Sequence, residues 1–385
     1  MAFRSREGST ARLLQLCGGY YISYVLTGIV VKWYTGGLRT PRLTDMAFLL
    51  DNTLGSSVLC VLAVLAFGWL HLPGATTRRW AGMTVPVETP YIVVSGVCTA
   101  IIIPATTLLY TLPISVMVAM VIMRGSVIVI SRCVDAVLAR RGLLRRKVYA
   151  QENWAVVFAL LALSTNVLLV PIARRFDHAV PALRGLAGTS LAGSFDFLHS
   201  GLAMWVLVTY ILAYAVRLYW MNVFKLTRPP GPSLDNRGYF AIEQVVASGT
   251  MALVVIAIFA GTRMLGWQDA RLVQLANEIA RPNASAVMSG VPYALVAFFS
   301  VFLFMFHGRS ATFAGLVNRI TSLLAGTTAT LLLALVFHLP PPSFSDWVSL
   351  TFVLIAVALL GNVEARRPAE RPVPLPTPAL AQPAS

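Results

Sequence analysis

The sequence predicts an all-α integral membrane protein that crosses the bilayer ten times, as two related sets of five helices. Three observations predict it. Of 385 residues, 57% are hydrophobic and only 12% charged, about half the charged share of an ordinary soluble domain. The apolar residues gather into stretches that reach the roughly 20 residues needed to cross a bilayer. The second half of the chain also repeats landmark residues of the first half in the same order.

Spans are expected at 13–34, 47–70, 90–111, 113–138, 153–172, 199–224, 239–261, 286–307, 311–338 and 344–362. The first is too long for a signal-peptide core and no A-x-A site follows it, so it reads as a retained helix. Thr111-Leu112-Pro113 marks a tight turn between the third and fourth. Ten spans put both termini on one side. With the N-terminus inside, the inner segments hold about twice as many Lys and Arg residues as the outer loops, led by Arg140, Arg141, Arg145, Arg146 and Lys147, so both termini are expected in the cytoplasm. The same count accounts for the net charge of +15 as a topology signal, not as a nucleic-acid stripe. In the outer loop 262–285, Leu272, Leu275, Ala276 and Ile279 fall at helical spacing and predict a short surface helix. The domain plan is therefore a first repeat over 1–172, an outer connection over 173–198, a second repeat over 199–362 and a Pro-rich disordered cytoplasmic tail over 363–385.

The repeat is read pair by pair. Ser23-Tyr24 in the first span answers Thr209-Tyr210 in the sixth. Asp51-Asn52 opens the second and Glu243-Gln244 the seventh. Pro90-Tyr91 opens the third and Pro292-Tyr293 the eighth. Arg124-Gly-Ser126 lies in the fourth and Arg319-Ile-Thr321 in the ninth. Asn153-Trp154 opens the fifth and Asp346-Trp347 the tenth. Because five is odd, the second set enters the membrane from the opposite side. Such inverted repeats are a recurrent plan of secondary transporters, with the substrate held near the bilayer midplane between halves.

On these features the chain resembles the drug/metabolite transporter superfamily. The segment Met123–Ile130 followed by a basic turn, the pair Lys32-Trp33 ending the first span and Asn318-Arg319 in the ninth are similar to its nucleotide-sugar and triose-phosphate branch. Val31 stands where that branch has an Asn. The resemblance implies a ten-helix alternating-access carrier and no cofactor.

Ionised groups inside a bilayer are costly and seldom idle. The set within the spans is Lys32, Asp51, Arg124, Arg132, Asp135, Arg217, Glu243 and Arg319, more basic than acidic, which favours an anionic solute. Arg124 lies near mid-membrane. It reads either as an anion-binding guanidinium or as half of an ion pair with Asp51 or Glu243. Arg319 is its repeat mate. Lys32 and Arg217 reach towards helix ends and read as substrate ligands or as snorkelling side chains. Asp51 and Glu243 are candidate coupling groups or counter-ions, with Asn52 and Gln244 beside them. Ser126, Thr321, Tyr91 and Tyr293 complete the candidate substrate set. Arg132 and Asp135, three apart, read as a local ion pair. Pro104 predicts a kink.

The four cysteines (Cys17, Cys60, Cys98, Cys133) have no CxxC spacing and read as buried small hydrophobes. With no HExxH motif, no metal site, catalytic residue or cofactor is expected. No Walker A sequence is present, which argues against an ATP-driven pump. The expected function is secondary transport of a small, anionic organic metabolite, by exchange or with a coupled proton, in the plasma membrane. The partners are that small-molecule solute and the lipid bilayer, not nucleic acid, with a homodimer left open. The alternatives are a lipid-modifying membrane enzyme and a non-transporting scaffold.

Overall fold

A computed structural model describes residues 10–40, 42–70, 77–80, 83–112, 116–143, 149–176, 201–226, 236–304, 311–342 and 344–366. Its helices are α1 (Thr10–Thr35), α2 (Asp45–Ala66), α3 (Thr89–Thr111), α4 (Val116–Arg140), α5 (Ala150–Phe176), α6 (Gly201–Leu226), α7 (Asn236–Met264), α8 (Ala270–Ala280), α9 (Ala284–Met288), α10 (Gly290–Phe304), α11 (Ala311–Phe337) and α12 (Phe344–Arg366). Among the described residues nine helical segments are long and apolar enough to cross a membrane. The expected fifth span lies inside α5, 27 residues long.

Burial decides how these segments are solvated. The apolar window of α7 is only 11% buried within the protein. Its Leu253 and Ile256 are 69% and 62% exposed. An apolar face of that extent is stable only against lipid, where helices also satisfy their own backbone groups. The chain is a multi-pass integral membrane protein.

The helix starts follow local chemistry. The Thr44 hydroxyl accepts from Ala47 N, with Asp45 in the first turn of α2, a side-chain cap joined to a favourable dipole contact. Pro90 opens α3, where its missing N–H costs nothing. Asp269 caps α8 through Arg271 N and Leu272 N, so the short helix expected within 262–285 is present. Asn283 caps α9.

Several boundaries differ from expectation. Helices outlast their apolar cores because charged ends project past them: α5 continues to Phe176 into the expected connection, and α12 to Arg366 into the expected tail. The remainder of both, 177–198 and 367–385, lies outside the described residues. The eighth span is broken at Ser289 into α9 and α10. The connection after α2 holds an unexpected antiparallel hairpin, β1 (Thr77–Trp80) with β2 (Met83–Pro86).

α4 is the most buried of the nine spans and contacts α5, α6, α11 and α12. α3 packs on α6 and α7, while α10 packs on α1 and α2. α4 packs on α5 and α6, while α11 packs on α12 and α1. α5 and α12 pack on each other. Without a hydrophobic drive between helices in lipid, close approach depends on small residues. At the tightest crossing a Cβ on Gly55 would strike the Val287 carbonyl, and one on Gly290 would strike Asn52 O and Ser56 N, so glycine is required at both positions.

Candidate functional site

A cavity of about 60 Å³ lies among α1, α3, α4, α6, α7 and α10. Its polar wall is made by Tyr24, Thr99, Arg124, Tyr210, Tyr214, Arg217, Gln244, Tyr293 and Ser300. Both halves of the chain supply it.

Arg124 projects from α4 towards α1. One helical turn separates Tyr20 from Tyr24, which places both rings on the same face; they meet edge to face at 4.8 Å. Arg124 Nη2 donates to Tyr24 Oη at 2.5 Å and to Tyr20 Oη at 3.3 Å. The guanidinium carbon lies 5.3 Å from the Tyr24 ring centroid, within cation–π range. Tyr20 in turn donates to Asn318 Oδ1 at 3.1 Å, and Asn318 Nδ2 donates to Ser300 Oγ at 3.3 Å. Arg124 Nε is buried with no hydrogen-bond partner, and no carboxylate pairs with this guanidinium among the described residues. The residue is 4% exposed. Its charge is therefore held by phenols and a ring face, which stabilise it without neutralising it.

Arg217 is neutralised. Its Nε donates to Glu243 Oε1 at 2.8 Å and its Nη2 to Oε2 at 3.0 Å. Ser95 donates to the same Oε1 at 2.7 Å, and the Thr99 hydroxyl lies 3.1 Å from it. Tyr239 donates to Ser95 Oγ at 2.8 Å. Glu243 is fully buried, and four donors surround it, as a buried carboxylate requires. The pair bridges α6 to α7, and Ser95 and Thr99 extend it to α3.

The expected site residues divide between this cavity and other places. Arg124, Arg217, Gln244 and Tyr293 line the cavity, with Glu243 behind Arg217. Arg319 lies outside the lining, where its Nη2 donates to Val127 O at 3.3 Å and to Ser131 Oγ, fastening α11 to α4. Lys32 Nζ donates to Leu112 O at 2.8 Å, closing the end of α3. Asp51 accepts from Asn283 N at 3.1 Å, and Asn52 Oδ1 accepts from Ser289 Oγ at 3.3 Å, so this pair holds α2 to α9. Ser126 and Thr321 donate back to their own helices, at Ile122 O and Val317 O. Tyr91 stacks on Trp220 with ring centroids 5.2 Å apart.

Two readings need correcting. Arg132, expected to pair along its own helix, has Glu152 of α5 as an ion-pair partner at 3.1 Å; a side chain near the end of α4 reaches the neighbouring helix as readily as its own next turn. Of the four cysteines, read as buried, Cys133 is exposed, Cys17 is half-buried, and Cys60 and Cys98 are buried.

Tyr20, Tyr210, Tyr214, Ser95, Thr99 and Tyr239 add polar chemistry to the site beyond the expected site residues. The signal was present: Tyr20 with Tyr24 and Tyr210 with Tyr214 are both four apart, which sets two phenols on one face of α1 and of α6.

No family model matches this chain, and no curated protein matches it. A solved structure described only as "Crystal structure of protein" aligns over 93% of this chain and 100% of its own, at 14% identity and a TM-score of 0.45.

Proposed function

We propose that the protein is a secondary transporter of a small anionic organic metabolite, working by alternating access as an exchanger or with a coupled proton. One observation carries this reading. Of the two arginines on the cavity wall, Arg217 has a carboxylate partner and Arg124 has none among the described residues. An unpaired buried charge costs several kcal/mol by order of magnitude. A carboxylate or phosphate group entering the cavity relieves that cost through charge-assisted hydrogen bonds, two of them parallel in the best geometry.

The helix packing supports ten spans in an inverted five-plus-five repeat. Exchanging the halves turns the contacts of α3 with α6 and α7 into those of α10 with α1 and α2. It likewise turns α4 with α5 and α6 into α11 with α12 and α1, and leaves α5 with α12 unchanged. Under that exchange Asp51 corresponds to Glu243, and each pins its helix to a different neighbour, α2 to α9 and α7 to α6. The distribution of Lys and Arg supports cytoplasmic termini, and we assign the protein to the plasma membrane. On this reading it is a carrier and not an enzyme.

The test is counterflow in proteoliposomes loaded with a panel of phosphorylated and carboxylated metabolites. Uptake that depends on internal anion and disappears in Arg124→Ala supports the reading. If no anion moves, or if Arg124→Ala transports as well as the parent, the reading fails.

A further inference from the structure

Charge, unused donors and size together limit what the central cavity can hold. The charges leave one cation over. Arg217 is cancelled by Glu243 at 2.8 Å. Arg319, outside the lining, has the Asp135 carboxylate within electrostatic reach. Arg124 is acted on by tyrosines and by no carboxylate among the described residues.

Three donors on lining residues are unused. Arg124 Nη2 is taken by Tyr20 and Tyr24, but its Nη1 donates to nothing among the described residues. Tyr210 and Tyr214 are 2% and 4% exposed, and neither hydroxyl has a hydrogen-bond partner among the described residues. They stand one helical turn apart on α6 with ring centroids 5.6 Å apart, and both act electrostatically on Arg124. Buried hydroxyls without an acceptor are unfavourable. Ile102, Ile103, Met123, Val296 and Ala297 give the same cavity an apolar wall. The volume of about 60 Å³ sets the size. A water-sized atom takes about 10–15 Å³ of such space, so there is room for about four to six heavy atoms.

We infer that the cavity takes as its cargo an unbranched aliphatic monocarboxylate of about two to four carbons, an inference that rests on the transport reading above. Its carboxylate accepts from Arg124 Nη1 and from the Tyr210 and Tyr214 hydroxyls, and its chain lies on the apolar wall. A monoanion cancels the one charge left over. A dicarboxylate or a doubly ionised phosphate ester leaves a negative charge buried without a cation, and a neutral solute leaves Arg124 uncompensated.

The experiment is counterflow of labelled propionate into proteoliposomes of the full-length protein, with thermal stabilisation of the detergent-solubilised protein by propionate as a separate binding readout. Butyrate is expected to compete; succinate, glycerol 3-phosphate, octanoate and propionamide are not. Tyr210→Phe and Tyr214→Phe keep the ring and remove one donor. Each is expected to raise the half-saturating propionate concentration about ten-fold or more, the effect of one hydrogen bond to a charged group. Met123→Ala enlarges the apolar end and is expected to let hexanoate compete. Movement of succinate or glycerol 3-phosphate without propionate overturns the monocarboxylate assignment and leaves anion transport standing. Propionate that stabilises the protein without moving overturns transport and leaves the ligand assignment standing. Neither stabilisation nor movement overturns the inference. Equal competition by propionamide, or Tyr210→Phe and Tyr214→Phe variants that match the parent, overturns the carboxylate contacts.

Discussion

Arg217 and Glu243 meet as a two-pronged ion pair, Nε to Oε1 at 2.8 Å and Nη2 to Oε2 at 3.0 Å, and hold α6 to α7. Arg124 lines the same cavity and is held by two phenols. Two buried guanidiniums in the wall of one cavity thus have opposite electrostatic states, and their variants should behave in opposite ways.

For the paired arginine, Arg217→Met leaves the Glu243 carboxylate buried without its cation. The expected loss of stability is about 3–5 kcal/mol, read as a lowered Tm of the detergent-solubilised protein. Arg217→Met combined with Glu243→Leu removes both charges and is expected to recover most of that loss. A double variant as unstable as the single one would contradict the pairing.

For the unpaired arginine, Arg124→Met removes a charge that no carboxylate balances. Its Tm is expected to equal or exceed that of the parent. Anion affinity, measured by the same thermal shift with added solute or by uptake, is expected to fall by about 30-fold or more, since losing one partner of a buried charge contact costs roughly 2–5 kcal/mol. A large drop in Tm would instead mean that Arg124 is a structural residue.

At the crossing of α2 with α10, Gly290→Ala forces a Cβ onto backbone atoms of Asn52 and Ser56. Backbone gives way less easily than side chain, so the expected cost is about 1–3 kcal/mol. Gly249→Ala in α7 is the control, because a Cβ there meets nothing within 4 Å. It is expected to be neutral or to stabilise by up to about 1 kcal/mol. Unfolding curves of the two variants side by side decide the matter.

Topology provides a further check. A reporter fused within 142–148 is expected to be cytoplasmic and one within α8 to face the opposite side, as the excess of Lys and Arg in the inner segments demands. Cysteine labelling from outside that reaches 142–148 in intact cells reverses the orientation.

Much of this architecture was legible in the chain because its causes are local. Apolar runs near 20 residues, the Asp269 cap before α8 and Pro90 at the head of α3 announce helices from neighbouring residues alone. Arg124 stood out because a guanidinium so far from either end of an apolar run cannot easily reach water. The tyrosines were harder to see, since a phenol in an apolar helix is compatible with core, interface or site, and only the partner opposite decides between them.

By itself, the sequence determined that the protein lies in a membrane, roughly where it enters and leaves the bilayer, and which intramembrane charges demand an explanation. The tertiary structure alone decided which of those charges cancel. Facing is set by how helices rotate about their axes as they pack, and nothing in a single helix's composition specifies that angle. So Glu243 neutralises Arg217 and not Arg124, Asp51 goes to the backbone of Asn283, and Arg319 fastens α11 to α4 away from the cavity wall.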